Sequence, residues 1–593
     1  MKRLLLLLLI IQPCVAMAQG WPAQYQGVML QGFYWDSFAD SRWKVLESEA
    51  NTFKDYFSLV WVPQSGNCGG NQSMGYDPMY WFDQNSTFGT EAELRSMIRT
   101  FNSKGIGTIA DVVINHRKNL SNWVDFPTET YRGKTYTMGA ADICANDDNG
   151  ATKTWAAKNS YTLSAYNDTG EDWGGMRDLD HNSANVQRCV GAYLDFLQAD
   201  MGYAGFRYDM VKGYAARFTG MYNATAQAQF SVGEYWDSNV NTVKNWINGT
   251  KVGGTIQSAA FDFPFRYTVR DAINNNDWSK LANTSTLAAN ADYQRYSVTF
   301  VENHDTEYRS STSQQDPIRR DTLAANAFML AMPGTPCVFF KHWMDCRHDI
   351  AKMIFLRNLA GIHNQSRVSA VHSSKDVHAH MVQGKNFDIV CVVGKDAWSY
   401  EPPNIHDWHL MAAGYHWAYW TSEPVSMPDI TFPEEQFEPY EITVGVDVDN
   451  VGWSSVNFWT WGGDGTHAPA NSKWPGDPVT TKQTLYGSTY YTRTYTISSA
   501  RDCVSFVFST GTGSPQTVDI PNITESRYYR ISKTQQSGKY TVDDVTPLAT
   551  GIADAPGTAP DSRTQSIYTL DGRKVSRPSR GLYIIDGKAR VLR

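Results

Sequence analysis

Cysteine is scarce in this chain of 593 residues: there are eight, with no C-x-x-C pair among them. That excludes a disulfide-built scaffold and a cysteine-ligated metal site. Cys14 lies near the N-terminus; Cys68, Cys144, Cys189, Cys337, Cys346, Cys391 and Cys503 are dispersed and odd in number. A basic block is also missing. Lys plus Arg number 52 against 60 Asp plus Glu, a formal net charge of −8, which argues against nucleic acid as a partner. No apolar run is long enough to span a bilayer, so no transmembrane segment is expected. Leu4 to Ile11 is a short one, preceded by Met1-Lys2-Arg3 and followed by Ala16-Met17-Ala18. A charged start, a short apolar core and an A-x-A site describe a secretory signal peptide over residues 1–18, and predict export. Cys14 is not preceded by a lipobox-like run, so no lipid anchor is expected. Internal repeats of the solenoid type are absent as well.

What the chain does contain is aromatic surface and apolar runs that end in reactive side chains. Aromatics make up 13% of residues, with 20 Trp and 32 Tyr. Such rings serve as platforms for pyranose faces, or as the cores of Trp-rich β domains. Eight short apolar runs recur: Val28–Gly32, Leu59–Pro63, Ile109–His116, Phe206–Asp209, Phe230–Glu234, Ala260–Phe263, Val298–Asp305 and Pro336–Phe340. Between most of them lies room for a helix, such as Glu91 to Ser103 or Ala184 to Ala199. Alternating strands and helices predict a parallel sheet, and eight units predict a closed (β/α)8 TIM barrel with its site at the strands' C-terminal ends. Asp111, His116, Asp209, Glu234 and Asp305 all fall at or near those ends. Arg207 and Asp209 are two apart on one strand, so both leave from the same face, and the guanidinium favours an ionised carboxylate. An anionic carboxylate fixed at a strand end suits a nucleophile; a structural ion pair is the alternative.

The architecture predicted around the barrel (residues 19–363) has several parts. A Gly- and Asp-rich stretch, about 117–182, forms a loop-rich domain inserted after the third strand. Asp349 to His363 reads as a helix. Residues 364–422 form an antiparallel β domain, with strands at Val377–Val382 and Phe387–Val393. Residues 423–440 read as a linker. Residues 441–546 form an all-β sandwich module. Residues 547–565 are a second linker, and 566–593 a small β tail.

Four ordered motifs then carry a resemblance. Asp111-Val-Val-Ile-Asn-His116, Gly205-Phe-Arg-Tyr-Asp209-Met-Val-Lys-Gly213, Gly233-Glu234-Tyr-Trp236 and Phe300-Val-Glu-Asn-His-Asp305 resemble the signature regions of the α-amylase family of glycoside hydrolases (family 13). The plant and archaeal type is the nearest group, since Gln31-Gly-Phe-Tyr-Trp35, Met74-Gly-Tyr76, Asp178-Leu-Asp-His181 and Pro333-Gly-Thr-Pro-Cys337 also match it in order. The resemblance covers about Gln26 to Ser422. It implies Asp209 as nucleophile, Glu234 as general acid/base and Asp305 as the third, transition-state-stabilising carboxylate. It further implies that Arg207 orients the nucleophile, that His116 and His304 contact the sugar being cleaved, that Tyr76 stacks under it, and that Lys212 and Gly213 line the leaving-group side. Asp209 is expected to stay charged beside Arg207, and Glu234 to hold its proton through burial and neighbouring carboxylates.

The resemblance also implies a Ca2+ site: side chains of Asn115, Asp172 and Asp178, with backbone carbonyls near Gly175 and Gly213, an all-oxygen set that suits calcium. Ile143–Asp148 carries one residue more than the plant pattern, which speaks against a second calcium there. The sandwich resembles starch-binding modules of family 26, with Trp459, Trp461, Trp474 and Gln516 as the sugar-contacting residues; placement of the Trp residues in the sandwich core is the other reading. The activity implied is a secreted, retaining, endo-acting α-1,4-glucan hydrolase acting on starch. Exo-acting maltooligosaccharide formation or transglycosylation is the alternative within the family. A starch-binding protein with a dead barrel is disfavoured by the intact carboxylate trio. In the tail, two apolar runs end in Asp571-Gly572 and Asp586-Gly587, which predicts hairpins. It resembles the C-terminal sorting domains of type IX secretion cargo, which would make the secretion machinery a partner; a β extension packed on the sandwich is the other reading.

Overall fold

The computed structural model describes residues 20–546, apart from 71, 433–438, 462–472, 486 and 500–501, together with the backbone of four strands within 567–592. The expected signal peptide (1–18) and second linker (547–565) lie outside the described residues.

Eight parallel strands close into a barrel: β1 (Met29–Gln31), β2 (Leu59–Trp61), β3 (Gly107–Val112), β4 (Gly205–Tyr208), β5 (Phe230–Gly233), β6 (Ala259–Phe261), β7 (Ser297–Thr299) and β8 (Thr335–Phe339). Each pairs with its sequence neighbours and β8 returns to β1. All eight correspond to the apolar runs. Almost every strand residue is buried, which is why the runs are continuously apolar rather than alternating. Strand register aligns the charged groups at the barrel mouth: Asp111 on β3 lies directly opposite Arg207 on β4, and Tyr208 opposite Gly233.

The helices wrap this core. Glu91–Ser103 starts at a capping box in which Thr90 and Glu93 exchange side-chain and backbone hydrogen bonds. It buries Leu94, Met97, Ile98 and Phe101 at helical spacing. The helix expected over Ala184–Ala199 is α-helical only to Asp195; a wider π turn, Phe196–Met201, follows, and Gly202 at φ 92° ends it. The helix expected from Asp349 begins earlier, spanning Phe340–Ala360 with a break at Cys346.

Between β3 and β4 the chain makes its excursion. A two-residue ladder, His116–Arg117 against Arg177–Asp178, closes the neck of the insertion. Beyond the barrel, five antiparallel strands within 368–421 form one sheet, buried against the helix Thr322–Leu330 through Tyr419 and Cys391. The stretch 423–432, expected as a linker, lies along the barrel instead: Val425, Met427, Ile430 and Phe432 pack on its core, with Phe432 among Tyr56, Trp343 and His348. Apolar side chains in a Pro-rich segment find burial worth about 25 cal/mol per Å2, which composition alone does not display. Residues 440–544 form two facing sheets of five and four strands around a core of its own. In the tail, Ile567–Tyr568 pairs with Lys574–Val575, and Gly581–Ile585 with Lys588–Leu592, so strands bracket each Asp-Gly dipeptide.

Candidate active site

A cleft of about 680 Å3 opens at the C-terminal ends of the barrel strands. Asp209, Glu234, Asp305, Tyr76 and His116 line it together, although they come from five separate stretches of chain. The register explains the floor. Opposite Asp111, the fully buried Arg207 points its guanidinium among three carboxylates: Nη1 donates to Asp111 Oδ1 at 2.7 Å and to Asp209 Oδ1 at 2.8 Å, and Nη2 forms an ion pair with Glu234 Oε1 at 2.7 Å. The Met210 amide donates to Glu234 Oε2 at 3.3 Å.

One positive charge therefore serves three buried carboxylates. If all three ionised, the pocket would carry a net −2 in a region with little water, so protons are retained. Burial is the main cause of each shift, opposed by Arg207 and reinforced by the other carboxylates. Asp111 rises to about 6, Asp209 to about 7 and Glu234 to about 8. Glu234 keeps its proton to the highest pH, the state a proton donor needs. Asp209, expected to stay charged beside Arg207, is instead lifted out of the ordinary carboxylate range, because burial and the adjacent Asp111 and Asp305 outweigh the guanidinium.

A hydrogen-bonded chain organises the wall. Gln31 Nε2 donates to His304 Nδ1 (2.9 Å), leaving His304 Nε2–H for Tyr76 Oη (2.7 Å), whose hydroxyl donates to Asp111 Oδ2 (3.1 Å). Trp61 Nε1 donates to the same oxygen. His304 and His116 are buried and pushed down to about 4, hence neutral. His304 sits beneath the cleft lining rather than in it, its ring stacked on Tyr76. Asp305 is half-exposed, 3.4 Å from Arg309, which also donates to the His304 carbonyl. Lys212 lies beside the cleft, between Glu171 and Asp237 and over Tyr235. Gly213 packs against Asn115: a Cβ there would lie 1.9 Å from Asn115 Oδ1.

Several lining residues are not candidates from the sequence alone: Trp35, Met176, Trp173, Trp236 and Gln72. Trp35 and Trp236 stand inside the quoted motifs, so a signal for them exists; Trp173 stacks on His116 from the insertion, where no periodicity marks it. Asp111 is legible as a strand-end carboxylate, yet its place in the Arg207 cluster follows only from register.

The expected metal ligands divide. Asp172 and Asp178 group with Asp147, their carboxylate oxygens within 4.8 Å of one another, a set able to hold a metal ion. Asp147 is an addition to the expected ligands; it belongs to Ile143–Asp148, the stretch with one residue more than the plant pattern. Asn115 turns its amide nitrogen to Asp178 (3.2 Å) and its oxygen to Gly213. Gly175 is held at the cluster by donating to Asp148. Burial, with Asp168 and Asp147 nearby, pushes Asp178 up to about 9, and Asp168 Oδ2 is buried without a hydrogen bond. All-oxygen and net negative, with Arg177 offsetting only Asp147 among its three members, the cluster fits a hard cation.

In the sandwich, Phe458 points into the core, while Trp459 and Trp461 leave from the other face of the same strand. Trp459 meets Trp474 edge-on at 5.9 Å. Trp474 is 42% exposed. Gln516 lies half-buried beyond the loop whose Gly513 abuts the Trp474 ring.

Residues 67–348 match the family model for the alpha amylase catalytic domain. "Probable alpha-amylase 2" of Arabidopsis thaliana is 29% identical over 66% of this chain and 93% of its own length. "Glucan 1,4-alpha-maltotetraohydrolase" of Roseateles saccharophilus is 27% identical over 62% of this chain and 68% of its own. The solved structure of a gamma-CGTase from alkalophilic Bacillus clarkii has a TM-score of 0.49 at 14% identity, over 85% of this chain and 98% of that one.

Proposed function

With residues 67–348 an α-amylase family catalytic domain, and the chain thereby a glycoside hydrolase of that family, we propose that it is a secreted, retaining, endo-acting α-1,4-glucan hydrolase degrading starch. The observation that carries this is Arg207 holding Asp209 and Glu234 together on the floor of an open cleft. Glu234 gives its proton to the glycosidic oxygen as that bond breaks. Asp209 attacks the anomeric carbon and forms a covalent glycosyl ester. Glu234, now ionised, takes a proton from water, whose oxygen displaces Asp209 and restores it. Asp305 faces the same space and stabilises the oxocarbenium-like charge. Neutral His116 and the Trp35, Tyr76 and Trp173 rings supply hydrogen bonds and apolar faces to the sugar. Reducing-sugar release from starch should vanish in Asp209→Asn, and the first product should be the α anomer; release of the β anomer overturns retention.

An exo-acting, maltooligosaccharide-forming activity is the second reading, favoured by the maltotetraohydrolase relative. Cleavage of oligosaccharides blocked at the non-reducing end separates the two: an endo enzyme cuts them. Calcium is the proposed ion at Asp147, Asp172 and Asp178, with Asn115 offering its oxygen if the amide turns; when bound, it supplies charge neutralisation that ties the insertion to the barrel. The sandwich is proposed to bind granular starch through Trp459 and Trp474, and Trp474→Ala should weaken granule adsorption about two- to tenfold. Secretion rests on the N-terminal segment, and sorting through residues 566–593 on the paired hairpins of the tail; fractionation of a chain lacking the tail tests this, and undiminished export overturns it.

A further inference from the structure

The sandwich leans on the barrel along a seam that backs the cleft. Arg42, which follows the β1 loop, reaches across with its guanidinium: Nη1 donates to the Asp502 carbonyl at 2.8 Å in a buried hydrogen bond, while Nε holds the Ala39 carbonyl at 3.2 Å. From the other side, Asn522 Nδ2 donates to the Thr87 carbonyl at 3.2 Å. Between these bonds, Asn85–Thr90 of the barrel faces Pro521–Glu525 of the sandwich across a cleft of about 360 Å3.

The barrel segment so engaged is one layer from the catalytic cleft. Thr87 Oγ1 accepts the Ser73 amide at 3.0 Å, and Phe88 packs on Phe38 with ring centroids 5.9 Å apart. Ser73 and Phe38 both line the catalytic cleft, next to Gln72, Met74, Tyr76 and Trp35. Residues 423–432, the described start of the chain that joins the two bodies, are themselves anchored, with Phe432 among Tyr56, Trp343 and His348 and under the Arg347 guanidinium. A segment held this way does not act as a free tether.

We propose that the sandwich is a fixed buttress of one cleft wall: by clamping residues 85–90 it holds the Trp35–Phe38 and Gln72–Tyr76 stretches in their substrate-binding positions, and so contributes to affinity for soluble glucan as well as to granule adsorption. The inference rests on the reading of the cleft as the glucan site.

The test uses the full-length chain carrying Arg42→Ala with Asn522→Ala, and each single variant. Hydrogen exchange should quicken at residues 85–90 and 521–525, and spread to 72–77. KM for a soluble maltooligosaccharide should rise about three- to tenfold, with kcat held within about twofold, because substrate binding is weakened while the carboxylates stay in place. Arg42→Lys keeps a donor and should recover part of the loss. Unchanged exchange at 85–90 in the double variant overturns the seam. Faster exchange there with residues 72–77 and KM both unchanged overturns the buttress. A wild-type chain that hydrolyses no glucan counts against the functional reading alone, since exchange at 72–77 reads the coupling without turnover.

Discussion

Two carboxylate clusters, one at the barrel mouth and one in the insertion, each contain one arginine. At the barrel mouth, Arg207 sits at the centre and touches Asp111, Asp209 and Glu234 at once. In the insertion, Arg177 stands at the margin: it pairs with Asp147 at 2.5 Å and Asp148 at 2.9 Å, and leaves Asp168, Asp172 and Asp178 to one another. A central cation leaves a graded set of proton affinities, about 6, 7 and 8, so a proton can be held on one carboxyl and released from the next. In the insertion, burial and the nearby Asp168 and Asp147 push Asp178 up to about 9, an accumulation of negative charge that a bound cation would offset. Under the proposed function, similar residue types would serve proton transfer in one place and ion binding in the other, with the guanidinium central in the first and marginal in the second.

The largest expected effect breaks the first cluster chemically. Asp209→Asn and Glu234→Gln should each lower reducing-sugar release by about a hundred- to ten-thousandfold or more, with the fold kept by circular dichroism. Next, Arg207→Met leaves three buried carboxylates without their cation and should destabilise by about 3–5 kcal/mol in denaturant melts. Arg177→Met should cost less in the presence of calcium, which can occupy the same charge deficit; equal losses for the two would erase the contrast. Third, chelation should remove the mass-action stabilisation, about 2.7 kcal/mol at an ion concentration of 100 Kd, and so lower the melting temperature, and Asp178→Asn should shrink that response. Chelator without effect on melting would remove the ion from the second cluster.

The smallest expected effect concerns pH. The alkaline limb of kcat/KM should fall near 8, where Glu234 loses its proton, and the acid limb should reflect ionisation of Asp209, raised to about 7. The stability linkage has the sign opposite to that of an exposed, ion-paired carboxylate. Glu234 binds its proton more tightly folded than unfolded, so its stabilisation is present below about 4.5 and is lost as pH rises to about 8. Glu234→Gln should therefore melt closer to wild type at pH 5 and above it at pH 9; a gap that does not change with pH would show that the carboxyl is not shifted.

The barrel strands were legible because a buried parallel strand has to be apolar along its whole length, and most of the runs ended in or beside residues too polar to continue them. The helix Glu91–Ser103 was legible as room between two apolar runs, and the capping box of Thr90 and Glu93 that sets its start came only with the structure. The candidate catalytic residues were legible through motif order and the Arg207–Asp209 spacing. The anchoring of 423–432 was not, because a few apolar side chains among prolines look the same whether they face solvent or a barrel. Nor was Asp147, which lies 31 residues from Asp178 and meets it only where the insertion folds back.

By itself, then, the sequence determined the eight-stranded barrel, the sites of its excursions and the identity of the carboxylates at its mouth, because hydrophobic period and local spacing act over a few residues. Only the tertiary structure decided which carboxylates share Arg207, which acidic groups gather into a set able to hold a metal ion, and that the sandwich leans on the barrel. Those outcomes depend on strand register and on contacts between residues hundreds of positions apart, such as Arg42 with Asp502, where burial and charge are set by neighbours that no local pattern encodes.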